Sequence, residues 1–256
     1  MCTTESVVKG NQATFLVADS GGATTRTRGL DGQIPARADS NTQLTATLVE
    51  EHDLVEKTGF NIFESQGPQR EIMQKTSMGV VNRKIDQVIL SDLSAASVDW
   101  GTATAASLLR ITKAITLLGN AEVPFDGNIC AVITPAFYGY LTQMKEFSSA
   151  EYVRRQPLDG QNGYQWQDMT GFWWWSNVKW VVHPNLAGVG TSSATCYMFH
   201  KNAIGHAVDT AGIHVDADYD RKQDSSWARA TIYMGGKLLQ NSGVVKMLHD
   251  DSALSA

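Results

Sequence analysis

Apolar and polar positions divide this chain into blocks of different period. Over 213–219, IHVDADY, they alternate: Ile213, Val215, Ala217 and Tyr219 against His214, Asp216 and Asp218. Over 227–234 they alternate again, with Trp227, Arg229, Thr231 and Tyr233 opposed to Ala228, Ala230, Ile232 and Met234. Period two means a strand with different faces, and the polar DRKQDSS between the runs predicts a long hairpin. Gly235-Gly236 is expected to interrupt it, with KLLQNSGVVKML supplying a closing strand or strand pair and DDSALSA a frayed tail.

Upstream the period changes. Met78, Val81, Ile85 and Val88 recur at 3-4-3 spacing, with Ile89 beside them, while Arg70, Lys75, Arg83, Lys84 and Asp86 can take the wet faces. This predicts one helix across 64–94, opened near Pro68, of roughly 25 residues and about 40 Å. Gly79 is a candidate bend. After the loop SAASVDWGTAT, Leu108, Ile111, Ile115 and Leu118 mark a second amphipathic helix over 104–119, with Gly119-Asn120 as its C-cap. NICAVITPAFYGYLTQM predicts a buried strand, Ile129–Ile133, then a helix opened by Pro135. Residues 145–170 are polar and turn-rich, with Tyr152, Tyr164 and Trp166. In GFWWWSNVKWVVHP, Trp173, Trp174 and Trp175 point to alternating faces of a strand, and Trp180–His183 forms another. Core packing is the first reading of this cluster and an interface the second. CYMFHKNAIGHAV is an apolar run broken at Lys201-Asn202.

One segment has no such pattern. Residues 18–43, ADSGGATTRTRGLDGQIPARADSNTQ, hold only two large apolar side chains, Leu30 and Ile34, among four threonines and three arginines. It cannot bury enough apolar surface to offset its ordering entropy. Strand-like runs flank it, VVKGNQATFLVA before and LTATLVEEHDLV after. The expected form is an extended hairpin that projects from the body and lies on a second copy of the protein, connections of this length being usually functional or disordered.

The chain has 256 residues, 43% of them apolar, enough for one large domain or two small ones. Its net charge of −5 argues against sequence-independent nucleic-acid binding. No apolar run reaches membrane-span length, and MCTTESVVKG lacks the basic flank and apolar core of a signal peptide. Three sparse cysteines, Cys2, Cys130 and Cys196, predict reduced thiols, the last two in the core.

Catalytic signatures are missing. Asp216-x-Asp218-x-Asp220 would need Gly and Glu where Arg221 and Trp227 stand to be a calcium loop, so a solvated acidic strand face is the better reading. Of the histidines (His52, His183, His200, His206, His214 and His249), only His200 and His206 are close, at a spacing that suits no common zinc site. Gly235-Gly236-Lys237 lacks the upstream glycine of a phosphate loop, and Asp19-Ser20-Gly21 is no nucleophile elbow. A binding or structural role without metal or cofactor is expected.

Several stretches in order carry a resemblance: TRTRGLDGQIPARADSNTQLTATL, GVVNRKIDQVILSDL, EYVRRQPL, WVVHPNL, YMFHKNAIGHAV and IHVDADYDRKQDSSWARATIYMGGKLLQNSGVVKM. From about residue 8 to 249 the chain resembles the major capsid proteins of tailed bacteriophages. The resemblance implies the α+β Hong Kong 97-like fold. Its parts would be a short N-terminal segment and E-loop hairpin (1–62), the spine helix of the P-domain (63–103), an A-domain (104–205), and the P-domain hairpin and closing strand (206–256). It implies an icosahedral shell of pentamers and hexamers around double-stranded DNA, assembled in the host cytoplasm with a portal, a scaffold and a decoration protein as partners and no membrane. An encapsulin-type nanocompartment shell is the alternative in the same fold, and a soluble α+β enzyme a remote one. Arg26, Arg28 and Arg37 would fall on the E-loop and Asp216, Asp218 and Asp220 on the P-domain, as candidate inter-subunit contacts. Only about ten residues precede the first expected strand, fewer than the family's usual arm. No lysine lies between Lys9 and Lys57, so no isopeptide cross-link is expected at the loop tip.

Overall fold

The computed structural model describes residues 2–8, 10–19, 24–29, 32–34, 36, 40–65, 67–148, 172–209 and 212–254. Arg37, Tyr152, Tyr164 and Trp166 lie outside them. Two five-stranded sheets, one long helix and a two-stranded ribbon make the frame.

The predicted hairpin is present: β10 (His214–Asp220) pairs antiparallel with β11 (Ser225–Leu238), Asp216 opposite Arg229 and Asp218 opposite Trp227. The other edge of β11 pairs with β4 (Val49–Thr58), and its last residues pair with β9 (Ile204–Asp209). Strand β1 (Thr3–Val8) runs parallel to β9. The expected strand at 7–18 is thus two strands, because the chain turns at Gly10, and the first begins at Thr3, in a β-branched run.

Gly235-Gly236 does not interrupt β11. The two glycines continue the ladder, and their role is close approach. A Cβ at Gly235 would collide with the Thr47 carbonyl, and one at Gly236 with Asp92 Oδ2.

After the short helix α1 (Gly59–Glu64), helix α2 (Gln69–Ser94) has 26 residues, about 39 Å. Val81, Ile85 and Val88 pack on Ala230, Ile232 and Met234, one of the two faces that alternation separates on β11. Met78 does not join that stripe; it is exposed, and Met73 and Ser77 hold the buried positions above Val81. The period allowed both phases, and the sheet selected the one that continues onto Leu93. Polar contacts pin α2 to its neighbours: Lys84–Glu51 (3.2 Å), Lys57–Gln69 (2.6 Å), Arg70–Ser226 (3.3 Å) and His183–Asp86 (3.2 Å).

The second sheet has the order β12-β8-β5-β7-β6, built from β5 (Ile129–Ile133), β6 (Phe172–Trp175), β7 (Val178–Val182), β8 (Ala194–His200) and β12 (Val244–His249). All five residues of β5 are buried, as a central strand between two neighbours requires. Helix α3 (Leu108–Asn120) covers this sheet with Ile111, Ala114 and Leu118. It starts later than expected, at the Ser107 N-cap. It also runs through Gly119 and Asn120, and the positive φ falls on Glu122 instead. Helix α4 (Pro135–Gln143) opens at Pro135 under a Thr134 cap, as predicted. The break at Lys201-Asn202 is where the chain leaves one sheet for the other. The closing strand β12 belongs to the second sheet, paired with β8, and not beside the hairpin.

The β6–β7 turn places Ser176 and Asn177 at positive φ, the mirror-image turn that suits a tight hairpin. Trp175 and Trp180 pack with ring centroids 5.8 Å apart, tilted at 45°, at the core, and Lys179 lies over the Trp174 ring at 5.3 Å. Cys130 and Cys196 are buried thiols outside any disulfide, and burial pushes the pKa of each up to about 12.

Candidate interaction surface

The polar segment is carried on a ribbon. Strands β2 (Gln12–Asp19) and β3 (Ser40–Thr47) pair antiparallel over their full length. Its base is anchored: Phe15 packs with Ala13, Ala46, Val8 and Ala207, its ring against Gly205. Beyond it, Thr24–Gly29 are exposed, and the Gly29 and Gly32 amides close a turn onto Gln33 and Gly29 (3.0 and 2.9 Å). Arg26 and Arg28 stand in this exposed stretch. Ile34 and Leu16 are also exposed.

Opposite α2, the first sheet shows an open face. Register fixes its rows: Asp218, Trp227 and Glu56; Asp216, Arg229 and Leu54; His214, Thr231 and His52; then Tyr233 and Glu50. Four carboxylates surround an apolar strip of Leu54, Trp227 and Tyr233, and Leu54 and Tyr233 are exposed. Arg229 donates to Asp216 (3.1 Å) and lies over the Trp227 ring at 5.9 Å. His52 donates from Nε2 to Glu50 (3.0 Å) and accepts at Nδ1 from the Thr231 hydroxyl (2.9 Å). The three aspartates therefore differ. Asp216 is paired within its own chain. Asp218 accepts the Tyr219 amide (2.7 Å) and Asp220 the Lys222 amide (2.8 Å), so Asp220 serves the hairpin turn. In the same turn the Tyr219 hydroxyl donates to Asp224, which raises the Tyr219 pKa. Among the described residues of one chain, Arg26 and Arg28 make no ion pair with these carboxylates.

A polar cluster that the sequence did not advertise lies at the other end. Asp251 is fully buried: it binds His249 Nδ1 (2.5 Å), accepts from the Thr134 hydroxyl (2.9 Å) and accepts from the Gly190 amide (3.1 Å). The tail expected to fray is thus docked at Asp251. Among the described residues no group of three metal-ligating side chains converges, and no helix is long and apolar enough to cross a membrane.

No curated protein sequence matches the chain. Solved structures match it across nearly its whole length. Mycobacterium phage Che8 aligns at 20% identity over 93% of this chain and 85% of that one, TM-score 0.64. The capsid of Ralstonia phage GP4 aligns at 10% identity over 97% and 87%, TM-score 0.68. The capsid asymmetric unit of cyanophage Pam1 aligns at 12% identity over 98% and 89%, TM-score 0.66. At these identities the likeness is one of fold: a mixed α/β chain with few helices and several sheets. The family described as phage capsid protein matches residues 1–251, and the chain belongs to that family.

Proposed function

We propose that this chain is the major capsid protein of a tailed phage, closing as pentamers and hexamers into an icosahedral shell around double-stranded DNA. The ribbon with its exposed tip carries this reading. A segment whose described residues, 24–29, 32–34 and 36, are exposed on their own chain is ordered by lying on another, and the open acidic sheet face is of complementary charge. In this reading the ribbon is the E-loop, α2 the spine helix of the P-domain, the first sheet the P-domain sheet, and the second sheet with α3 and α4 the A-domain. Assembly occurs in the host cytoplasm with a portal and scaffold, and the role is structural, without catalysis.

Arg26, Arg28 and Arg37 of one copy then approach Asp216, Asp218 and Asp220 of the next. Asp218 is better placed than Asp216, which Arg229 already holds. Glu56 stands in the same row as Asp218. Exposed pairs contribute about 0–1 kcal/mol each, but a closed shell repeats every pair in each subunit.

Negative-stain microscopy of the purified protein tests the reading. Polyhedral shells or rings of five and six support it, and nucleic-acid absorbance of the particles separates a genome container from a compartment for protein cargo. A monomer at every concentration, with and without a scaffold protein, overturns it. Arg26→Ala, Arg28→Ala and Arg37→Ala together should leave a folded subunit that fails to assemble; normal shells from the triple variant would sink the ion-pair assignment.

A further inference from the structure

Two cations converge near the start of α3 on a single backbone oxygen. Arg110 Nη1 and Lys113 Nζ both donate to the Trp100 carbonyl, at 3.1 and 2.8 Å. Each nitrogen is within 3.1 Å of one atom, so the two lie within about 6 Å of each other. They share a face because i and i+3 are neighbours on a helix, and helical side chains lean back toward its N-terminus. A guanidinium offers five N–H donors and an ammonium three; the carbonyl uses one of each. No carboxylate forms an ion pair with either among the described residues. Asp99, two residues from Gly101, accepts the Gly101 amide (2.8 Å) and is not paired with them. Beside the cations, in the first turn of α3, Leu109 is 80% exposed and Leu108 40%.

We infer that Arg110 and Lys113 bind a carboxylate of a second copy of this chain, with Leu108 and Leu109 forming the apolar rim of the contact. Like charges held this close are relieved by an anion between them, and a guanidinium takes a carboxylate in bidentate fashion. A phosphate has the same charge, but two exposed leucines beside the cations suit a protein surface. Twenty-six acidic residues against 21 basic ones supply the complementary groups. The contact is heterologous: a basic patch on one copy meets an acidic patch elsewhere on the next, the geometry that closes rings.

The inference rests on the shell reading, and the test separates the two. Assembled particles and dissociated subunits are treated with a carbodiimide, which joins an ammonium to a carboxylate in direct contact, and in parallel with an amine-acetylating reagent. The expected result is an amide from Lys113 Nζ to an Asp or Glu of another copy, found by peptide mass spectrometry in particles and absent from subunits. Acetylation of Lys113 should fall at least tenfold on assembly. Lys113→Arg should keep the particles and lose the cross-link, whereas Arg110→Gln with Lys113→Gln should dissociate at lower salt than the wild type. Shells whose Lys113 is acetylated as fast as in free subunits would overturn the inference while leaving the shell reading intact. Protection in DNA-filled particles that disappears in empty ones would overturn it in favour of phosphate. Failure of the wild type to form particles would refute the shell reading instead.

Discussion

Asp92 shows how a single side chain shapes its surroundings. It leans from α2 over Gly236, where a Cβ cannot be accommodated, and its Oδ2 is buried without a hydrogen-bond partner among the described residues. Burial pushes its pKa up to about 6, with Lys237 pulling the other way. His206, opposite Gly236 in register, is buried with no hydrogen-bond partner for Nε2 among the described residues, and desolvation lowers its pKa. The signs differ. A carboxyl raised from 3.8 to about 6 costs stability above pH 6, and the cost fades as pH falls through 6 toward 3.8. A lowered histidine costs stability as pH falls below 6.5. Asp92→Asn should therefore stabilise disassembled subunits at pH 8 by on the order of 1 kcal/mol, the half-exposed site being screened by solvent, with the gain gone near pH 4. Urea midpoints at several pH values measure it, and a gain that does not change with pH would refute the assignment. The glycine pair was visible in the sequence, but a Gly-Gly step reads equally as a break or as a place of close approach. The Thr47 carbonyl beside Gly235 and Asp92 beside Gly236, both a long way off in sequence, decide between them.

At the scale of elements, what could be read depended on whether local pattern and tertiary packing agreed. The β10–β11 hairpin, β5 and the Pro135 helix start were legible because period, turn residues and proline chemistry all point the same way. The phase of α2 was not. Met78 and Met73 both satisfy helical spacing, and the choice is made by Ala230, Ile232 and Met234. The placement of β12 was equally hidden, because an apolar strand carries no mark of which sheet will take it. The Thr134–Asp251–His249 cluster had no signal at all, since its members come from α4's cap, β12 and the tail. That cluster joins three elements, so removing its centre should be costly. Asp251→Ala leaves buried donors without an acceptor and should destabilise the subunit by roughly 3–5 kcal/mol. Deleting the chain from Ser252 onward should cost far less. Chemical denaturation of the two variants compares them, and equal losses would show that the tail, rather than the carboxylate, is what matters.

At the scale of the whole molecule, the candidate surface was legible in part. Composition and the absence of catalytic spacing pointed to a structural role, and the polar arm stood out because it cannot form a core. The division of labour among Asp216, Asp218 and Asp220 was not legible, since it depends on Arg229 lying opposite Asp216. Shells should be held by non-covalent contacts alone at the ribbon tip, where no lysine is present. Boiled particles should run on a denaturing gel at the subunit mass of 27.9 kDa, and a ladder of higher bands would contradict this.

Helix α2 touches both cores: Val81 lies in the cluster of the first sheet and Leu93 in that of the second. In mechanical terms it is a beam fixed at two points. Its hydrogen bonds run along its axis, so it resists stretching far better than a loop would. A load placed on the first sheet by a neighbour is delivered to the second sheet of the same subunit. Walls built from such subunits would pass tension straight through each subunit along this helix.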